Sequence, residues 1–376
     1  MNKMTAIQRY ILLVLVCAVV MACKDDDKEY AEEPATEVTF TTTVQTRAVA
    51  NVVTKLEDGD AMNVFMAEET AVESLQQAKT YKAVCQGGVW KGTPAIEFGG
   101  SAKGYLYAVY PYQATSAKMN AVPVEITSQT DYLYSGGGVA VSPNSPKAVL
   151  TMKHALSALA FNIKNDNYAG EGKLQQISIN GKPICTSGTL DVSSGTVKGT
   201  VSAKYEYACD VNILQDGWEE NIPAFFCIPF VSSGSDVTVT FKIDGKDYPC
   251  RLPKYGVAGG MKYIFYLSLT EQGLTIFPEQ TKQISLNIDS DSMSIPSYSL
   301  LKITHDNALF TLPLLKGEGL VGTILWGDGQ SEEYGVAAEH SYESAQVHIV
   351  TVETWGTEEV SLTNLIGVSE IDLSEF

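Results

Sequence analysis

Arginine is nearly absent from this chain. Only Arg9, Arg47 and Arg251 occur among 26 basic residues, against 44 aspartates and glutamates, and the formal net charge is -18. Such an acidic surface repels phosphate backbones, which excludes nucleic acid as a partner. Histidine is almost as rare, with His154, His305, His340 and His348 scattered along the sequence. No G-x-S-x-G elbow, H-E-x-x-H helix, phosphate loop or dinucleotide fingerprint occurs, so the chain is expected not to be an enzyme and to need no cofactor or metal. Asp289-Ser290-Asp291-Ser292 begins like a calcium loop, but the glycine and terminal glutamate of an EF-hand are missing, which leaves a solvated turn. Cysteine never forms a C-x-x-C pair. Once Cys17 and Cys23 are set aside, Cys85, Cys185, Cys209, Cys227 and Cys250 remain. That odd, scattered set is neither a metal knuckle nor a dense disulfide scaffold; buried thiols are expected, with one disulfide left open. Helical periodicity is also missing beyond about three turns in any stretch.

What is present begins at the N-terminus. Lys3 and Arg9 precede an apolar run over residues 11–20, too short to span a bilayer as a settled helix. Residues 1–22 therefore read as a secretory signal peptide. Val20-Met21-Ala22-Cys23 resembles a bacterial lipobox, in which Cys23 would carry the lipid; an ordinary signal peptide is the alternative. Residues 23–36 form an acidic linker whose Lys24-Asp25-Asp26-Asp27-Lys28 resembles the export signal of surface lipoproteins in the Bacteroidetes. Acyl chains on Cys23 would hold the chain to the outer membrane, each buried methylene contributing about 0.8 kcal/mol. Without Lys3 and Arg9, 24 basic residues face 44 acidic ones, a charge of -20.

From residue 37 the pattern is β. Val38, Phe40 and Val44 fall on one face of the first strand, with Thr39, Thr41 and Thr43 on the other. Arg47 follows at once in an expected loop. Short runs of Val, Ile, Tyr and Phe continue to residue 270. Asp244-Gly245 predicts a hairpin of the primed type, and Asn180-Gly181 a second one. Over residues 150–163 the apolar alternation changes parity beside His154, which predicts a bulge, a kink or a strand crossing between sheets. His154 itself reads as a core or hydrogen-bonding residue.

Several segments, in order, resemble the fimbrillin-like (type V pilus) lipoproteins of the Bacteroidetes. They are Thr46-Arg47-Ala48, Gly59-Asp60-Ala61-Met62-Asn63-Val64-Phe65, Tyr107-Ala108-Val109-Tyr110-Pro111-Tyr112, Asp131-Tyr132-Leu133 and His154-Ala155-Leu156. The resemblance implies two tandem transthyretin-like β-sandwiches, at residues 37–165 and 166–272. Residues 273–376 resemble a PKD-like immunoglobulin-type module through Trp326-Gly327-Asp328-Gly329 and His340-Ser341-Tyr342. The fold class is thus all-β, with a smaller sandwich at the end. The family also implies an assembly route. An arginine-specific protease would cut between Arg47 and Ala48, and the lost first strand would be replaced by strand addition from another pilus subunit. The expected function is a surface-exposed fimbrial subunit, minor or tip-like and adhesive, its ligand on a host or bacterial surface unnamed. The alternative is a glycan-binding surface lipoprotein of a nutrient-uptake system.

Overall fold

Alternation in residues 37–44 builds β1 (Thr39–Val44), which buries Phe40 and exposes Thr41 and Thr43. The computed structural model describes residues 36–45, 52–98, 102–114, 118–287, 298–317, 320–335, 338–363 and 365–376. After β1 come β2 (Ala61–Ala67), the short helix α1 (Val72–Gln76), β3 (Lys79–Gln86), β4 (Val89–Thr93) and β5 (Gly104–Tyr110). Next are β6 (Val122–Glu125), β7 (Leu133–Tyr134), β8 (Val139–Val141) and β9 (Lys147–His154). Seven of these close on themselves in the order β2-β3-β4-β1-β9-β7-β5 and back to β2. The expected open sandwich at this end is therefore a closed barrel. The reason is pairing on both sides: β2 meets β3 and β5, and β1 joins β4 to β9.

Why β2 and β5 are nearly continuous apolar runs is now plain. Met62, Val64, Met66, Leu106 and Ala108 point into the barrel, while Phe65, Ala67, Tyr107 and Val109 point into a second core. Strands buried on both faces cannot alternate. That second core lies under a six-stranded sheet whose central strands, Ser157–Asn165 and Met261–Thr270, run parallel over eight paired residues. Phe161 of this sheet meets Phe241 of a four-stranded sheet edge-on at 5.1 Å and also packs on Phe225 and Phe265. Burying such a ring contributes about 1.5–3 kcal/mol.

The parity change near His154 is a crossing between sheets. The chain leaves the barrel at His154 and enters the six-stranded sheet at Ser157. Asp244-Gly245 makes the expected hairpin, with φ of 49° and 77° and Ile243 opposite Lys246. Asn180-Gly181 does not. Its flanking strands, Lys173–Gly181 and Cys185–Leu190, belong to different sheets, and Gly181 pairs with Val237 instead.

Residues 298–376 form a third unit. Five strands lie in the order Ser331–Glu333, Val321–Leu325, His348–Trp355, Tyr298–His305 and Val368–Glu375. Two strand pairs, Leu309–Thr311 with Glu339–Ser341 and Leu314–Lys316 with Glu359–Ser361, accompany this sheet. Their shared core includes Leu301, Ile303, Phe310, Ile324, Trp326 and Val350. Among the described residues no helix is long and apolar enough to cross a membrane.

Candidate functional site

The feature with the clearest mechanical consequence is the seat of β1. It pairs parallel with β9 from Thr39–Lys147 to Val44–Met152, and antiparallel with β4 at Thr39–Lys91 and Phe40–Trp90. Val38 and Phe40 are 0% and 1% exposed, and Phe40 stacks on Trp90 at 5.9 Å with the rings 6° from parallel. Thr42, on the same inward face, accepts a 3.0 Å hydrogen bond from the Trp90 indole N–H. A half-buried threonine among apolar neighbours is thus satisfied. Trp90 was not singled out in the sequence, although Gly87-Gly88-Val89-Trp90 has the form of a turn followed by a strand.

Asp131 and His154, drawn from two of the motifs, meet in the structure. His154 Nδ1 lies 2.8 Å from Asp131 Oδ2, which also accepts the Val53 N–H at 2.9 Å. Both side chains are buried, and Leu133 pairs directly with His154 across β7 and β9. The expected role of His154 as a hydrogen-bonding core residue is met: it fixes the point where the chain changes sheets. Asn287 grips the same residue from far along the sequence. Its Oδ1 accepts the His154 N–H at 2.6 Å and its Nδ2 donates to the His154 carbonyl at 3.4 Å. An amide that bonds both backbone groups of one residue imitates a neighbouring strand where the ladder is interrupted. Beside this crossing opens a cleft of about 710 Å³, lined by Gln45, Lys153, Gly260, Asn287, Lys316 and Glu333 among others. Residues of the barrel, the second core and the third unit all border it.

The histidines are not scattered in space. His305, His340 and His348 gather around Tyr342, which overturns the sequence-based view of them. Strand pairing brings this about, since His305 lies opposite His348 and the strand Glu339–Ser341, which carries His340 and is followed at once by Tyr342, folds over the same core. Tyr342 donates to the Trp326 carbonyl at 2.9 Å and stacks on His348 at 3.9 Å. His305 Nε2 lies 3.2 Å from the Tyr342 hydroxyl, and its Nδ1 accepts the Asn307 N–H at 3.2 Å. One ring nitrogen accepts, so the other carries the proton and the imidazole is neutral. Burial and the neighbouring His348 hold the His305 pKa below its ordinary value. His340 stacks on Trp326 and reaches Asp328 Oδ2 at 2.8 Å. Hydrogen bonds from Gln330 and His340 hold the Asp328 carboxyl below the usual carboxylate range. The Trp326-Gly327-Asp328-Gly329 turn is thereby tied to the strand Glu339–Ser341, which pairs with Leu309–Thr311 outside the five-stranded sheet.

This cluster is a packed aromatic network. Among the described residues no group of three or more His, Cys, Asp or Glu could hold a metal ion. The thiols are poor nucleophiles as well: burial pushes Cys209 up to about 11 and Cys227 higher still, and no disulfide joins the five described cysteines. Cys23, Arg47, Ala48 and the Asp289–Asp291 turn lie outside the described residues. Arg251 ends the strand Lys246–Arg251, opposite Thr238.

A family model described as fimbrillin-like matches residues 46–288. No curated protein matches. A candidate cell adhesion protein of Bacteroides uniformis ATCC 8492 is similar in structure, 18% identical, over 66% of this chain and 98% of its own, with a TM-score of 0.47. A candidate cell adhesion protein of Bacteroides ovatus ATCC 8483 is 15% identical over 69% of this chain and 100% of its own, with a TM-score of 0.49. A fimbrial protein of Bacteroides vulgatus ATCC 8482 is 11% identical over 66% of this chain and 99% of its own, with a TM-score of 0.44.

Proposed function

The chain belongs to the fimbrillin-like family, and from that premise we propose that it is a surface-anchored fimbrial subunit assembled by exchange of its first strand. Family membership supports a structural role rather than catalysis. In this reading Cys23 carries the lipid anchor at the outer membrane, and an arginine-specific protease releases the anchored segment by cutting between Arg47 and Ala48. The two family units of this reading are the barrel and the second core, and residues 298–376 are an appended PKD-like module. That appended module favours a minor, tip-like, adhesive subunit over a stalk subunit.

The observation that carries this reading is the position of β1 as one stave of a closed barrel, ending two residues before Thr46-Arg47. With β1 in place the ring has no free edge. Its loss removes Val38 and Phe40, each worth about 1.5–3 kcal/mol when fully buried. It also uncovers Trp90 and leaves facing rows of unpaired N–H and C=O groups on β4 and β9. Such a gap accepts an extended strand from another subunit, parallel to β9. Mass spectrometry of the protein taken from its native cell tests the cut: the expected mature N-terminus is Ala48, and lipid is expected on Cys23 before processing. Arg47→Ala is expected to leave the lipidated form uncut and unassembled. An unchanged N-terminus and unchanged polymer in that variant would refute strand exchange.

A further inference from the structure

Six lysines of this acidic protein are paired with carboxylates. Lys55, Lys173, Lys204, Lys254, Lys302 and Lys316 each lie within 4.0 Å of a carboxylate. Lys164 and Lys282 do not; among the described residues their neighbours are aromatic rings. Phe161, Ile163, Phe265 and Leu267 of the two parallel strands point into the second core, so Lys164 and Tyr266 project from the opposite face. Trp218 sits across from Lys164 on the adjoining strand, and Lys282 pairs across from Ile264. Phe277 is held beside Tyr266 by a 2.9 Å hydrogen bond from its N–H to the Tyr266 carbonyl.

These five side chains form one surface. The Trp218 ring stands at 89° to Tyr266 at 5.0 Å and at 85° to Phe277 at 6.4 Å, which makes an aromatic corner. Lys164 Nζ lies 5.7 Å from the Trp218 ring and 5.6 Å from Phe277, and Lys282 Nζ lies 5.3 Å from Tyr266. All five residues are half-buried, so ring surface remains open to solvent. Cations over exposed rings are only weakly stabilised and keep capacity for an anion. The patch lies on the face of the six-stranded sheet and offers side chains rather than a row of backbone groups.

We infer that this corner binds an acidic saccharide, with the rings stacking on the C–H face of a pyranose and Lys164 and Lys282 taking its carboxylate. Rigid aromatic surface with two placed charges suits a sugar acid better than a flexible acidic peptide, which would offer charge but no flat apolar face. The site is separate from the seat of β1 and does not depend on strand exchange.

Trp90, Trp326 and Trp355 are 1%, 1% and 4% exposed, and Trp218 alone of the four is half-buried, so tryptophan emission reports on this patch. Titration of the full-length chain with a galacturonate hexasaccharide is expected to give a saturable emission change that weakens with salt, while neutral maltohexaose gives none. By calorimetry Trp218→Ala is expected to weaken binding at least tenfold, and Lys282→Gln, at a partly exposed position that leaves the fold intact, several-fold. No binding of the acidic hexasaccharide, equal binding of the neutral one, or binding indifferent to Lys282→Gln would each overturn the inference. So would polyglutamate binding as tightly as the saccharide and unaffected by Trp218→Ala.

Discussion

The barrel and the C-terminal unit solve the edge problem in opposite ways. In the barrel every strand of the ring is paired on both sides, and its core is apolar: Val38, Phe40, Met62, Val64, Trp90, Leu106 and their neighbours. The C-terminal sheet stays open. One edge is the short, charged Ser331–Glu333, and the other is Val368–Glu375, which carries three carboxylates, Glu370, Asp372 and Glu375. Charge along an edge discourages unwanted pairing. Its core mixes leucines and valines with His305, His348, Trp326 and Tyr342. Of thirteen exposed large hydrophobics among the described residues, ten lie between Tyr298 and Phe376, so apolar contact surface is concentrated there. The difference teaches that closure, not added strands, makes β1 consequential. An open sheet that loses an edge strand has another edge; a ring that loses a stave gains a groove.

Breaking the barrel core should give the largest effect. Trp90→Ala removes the ring on which Phe40 stacks and is expected to cost about 3–5 kcal/mol in urea unfolding. Hydrogen exchange should quicken along β1 and β4 while the strand His348–Trp355 keeps its protection. Equal quickening in both would mean that the two regions do not differ as argued.

Removing the carboxylate at the sheet crossing comes next. Asp131→Ala strands the Val53 N–H and the His154 ring nitrogen, and buried unsatisfied groups cost about 1–3 kcal/mol each. A double-mutant cycle with His154→Leu should show coupling of about 0.5–3 kcal/mol; additive losses would dissolve the pair.

The C-terminal turn offers an internal contrast. Gly327 has φ of 84°, and an added Cβ would meet the Ile349 carbonyl oxygen at 2.6 Å. Gly329 has φ of 92° with nothing within 4 Å. Both alanine variants carry the left-handed penalty of about 1–2 kcal/mol, but Gly327→Ala must also displace backbone and should lower the melting temperature further. Identical shifts would show that the turn is not locked to its neighbouring strand.

The smallest effect concerns acid. The folded His305 pKa is depressed, so the unfolded chain binds the proton more readily. Stability then rises with pH, is complete above the unfolded value of 6.5, and is lost as pH falls below it. The geometry agrees, because a proton on His305 Nδ1 would face the Asn307 N–H. Below pH 6.5 the C-terminal unit should loosen first, seen as faster exchange in the strand Tyr298–His305. His305→Gln should flatten that pH dependence.

Much of this is legible in the sequence. The face of β1, the Asp244-Gly245 hairpin and the parity change near His154 all follow from side-chain period and turn chemistry, which act over a few residues. The family motifs were legible as well, but not their purpose. Asp131 and His154 are 23 positions apart, and only their strands' pairing brings them within 2.8 Å. The histidine cluster carries no periodic signal because its three positions are widely spaced, and the Asn180-Gly181 hairpin is expected but absent because that dipeptide marks the end of a strand whether or not the next one returns beside it.

By itself the sequence determined that this is an all-β chain, acidic, with apolar and polar faces assigned strand by strand, because those choices rest on alternation, charge and local backbone preference. Tertiary structure alone decided that seven strands close into a barrel, that β1 lies between β4 and β9, and that Asn287 clamps His154. Those outcomes depend on which hydrogen-bonding edges find each other across long stretches of chain. A strand's own residues specify its faces, but they do not specify its neighbours.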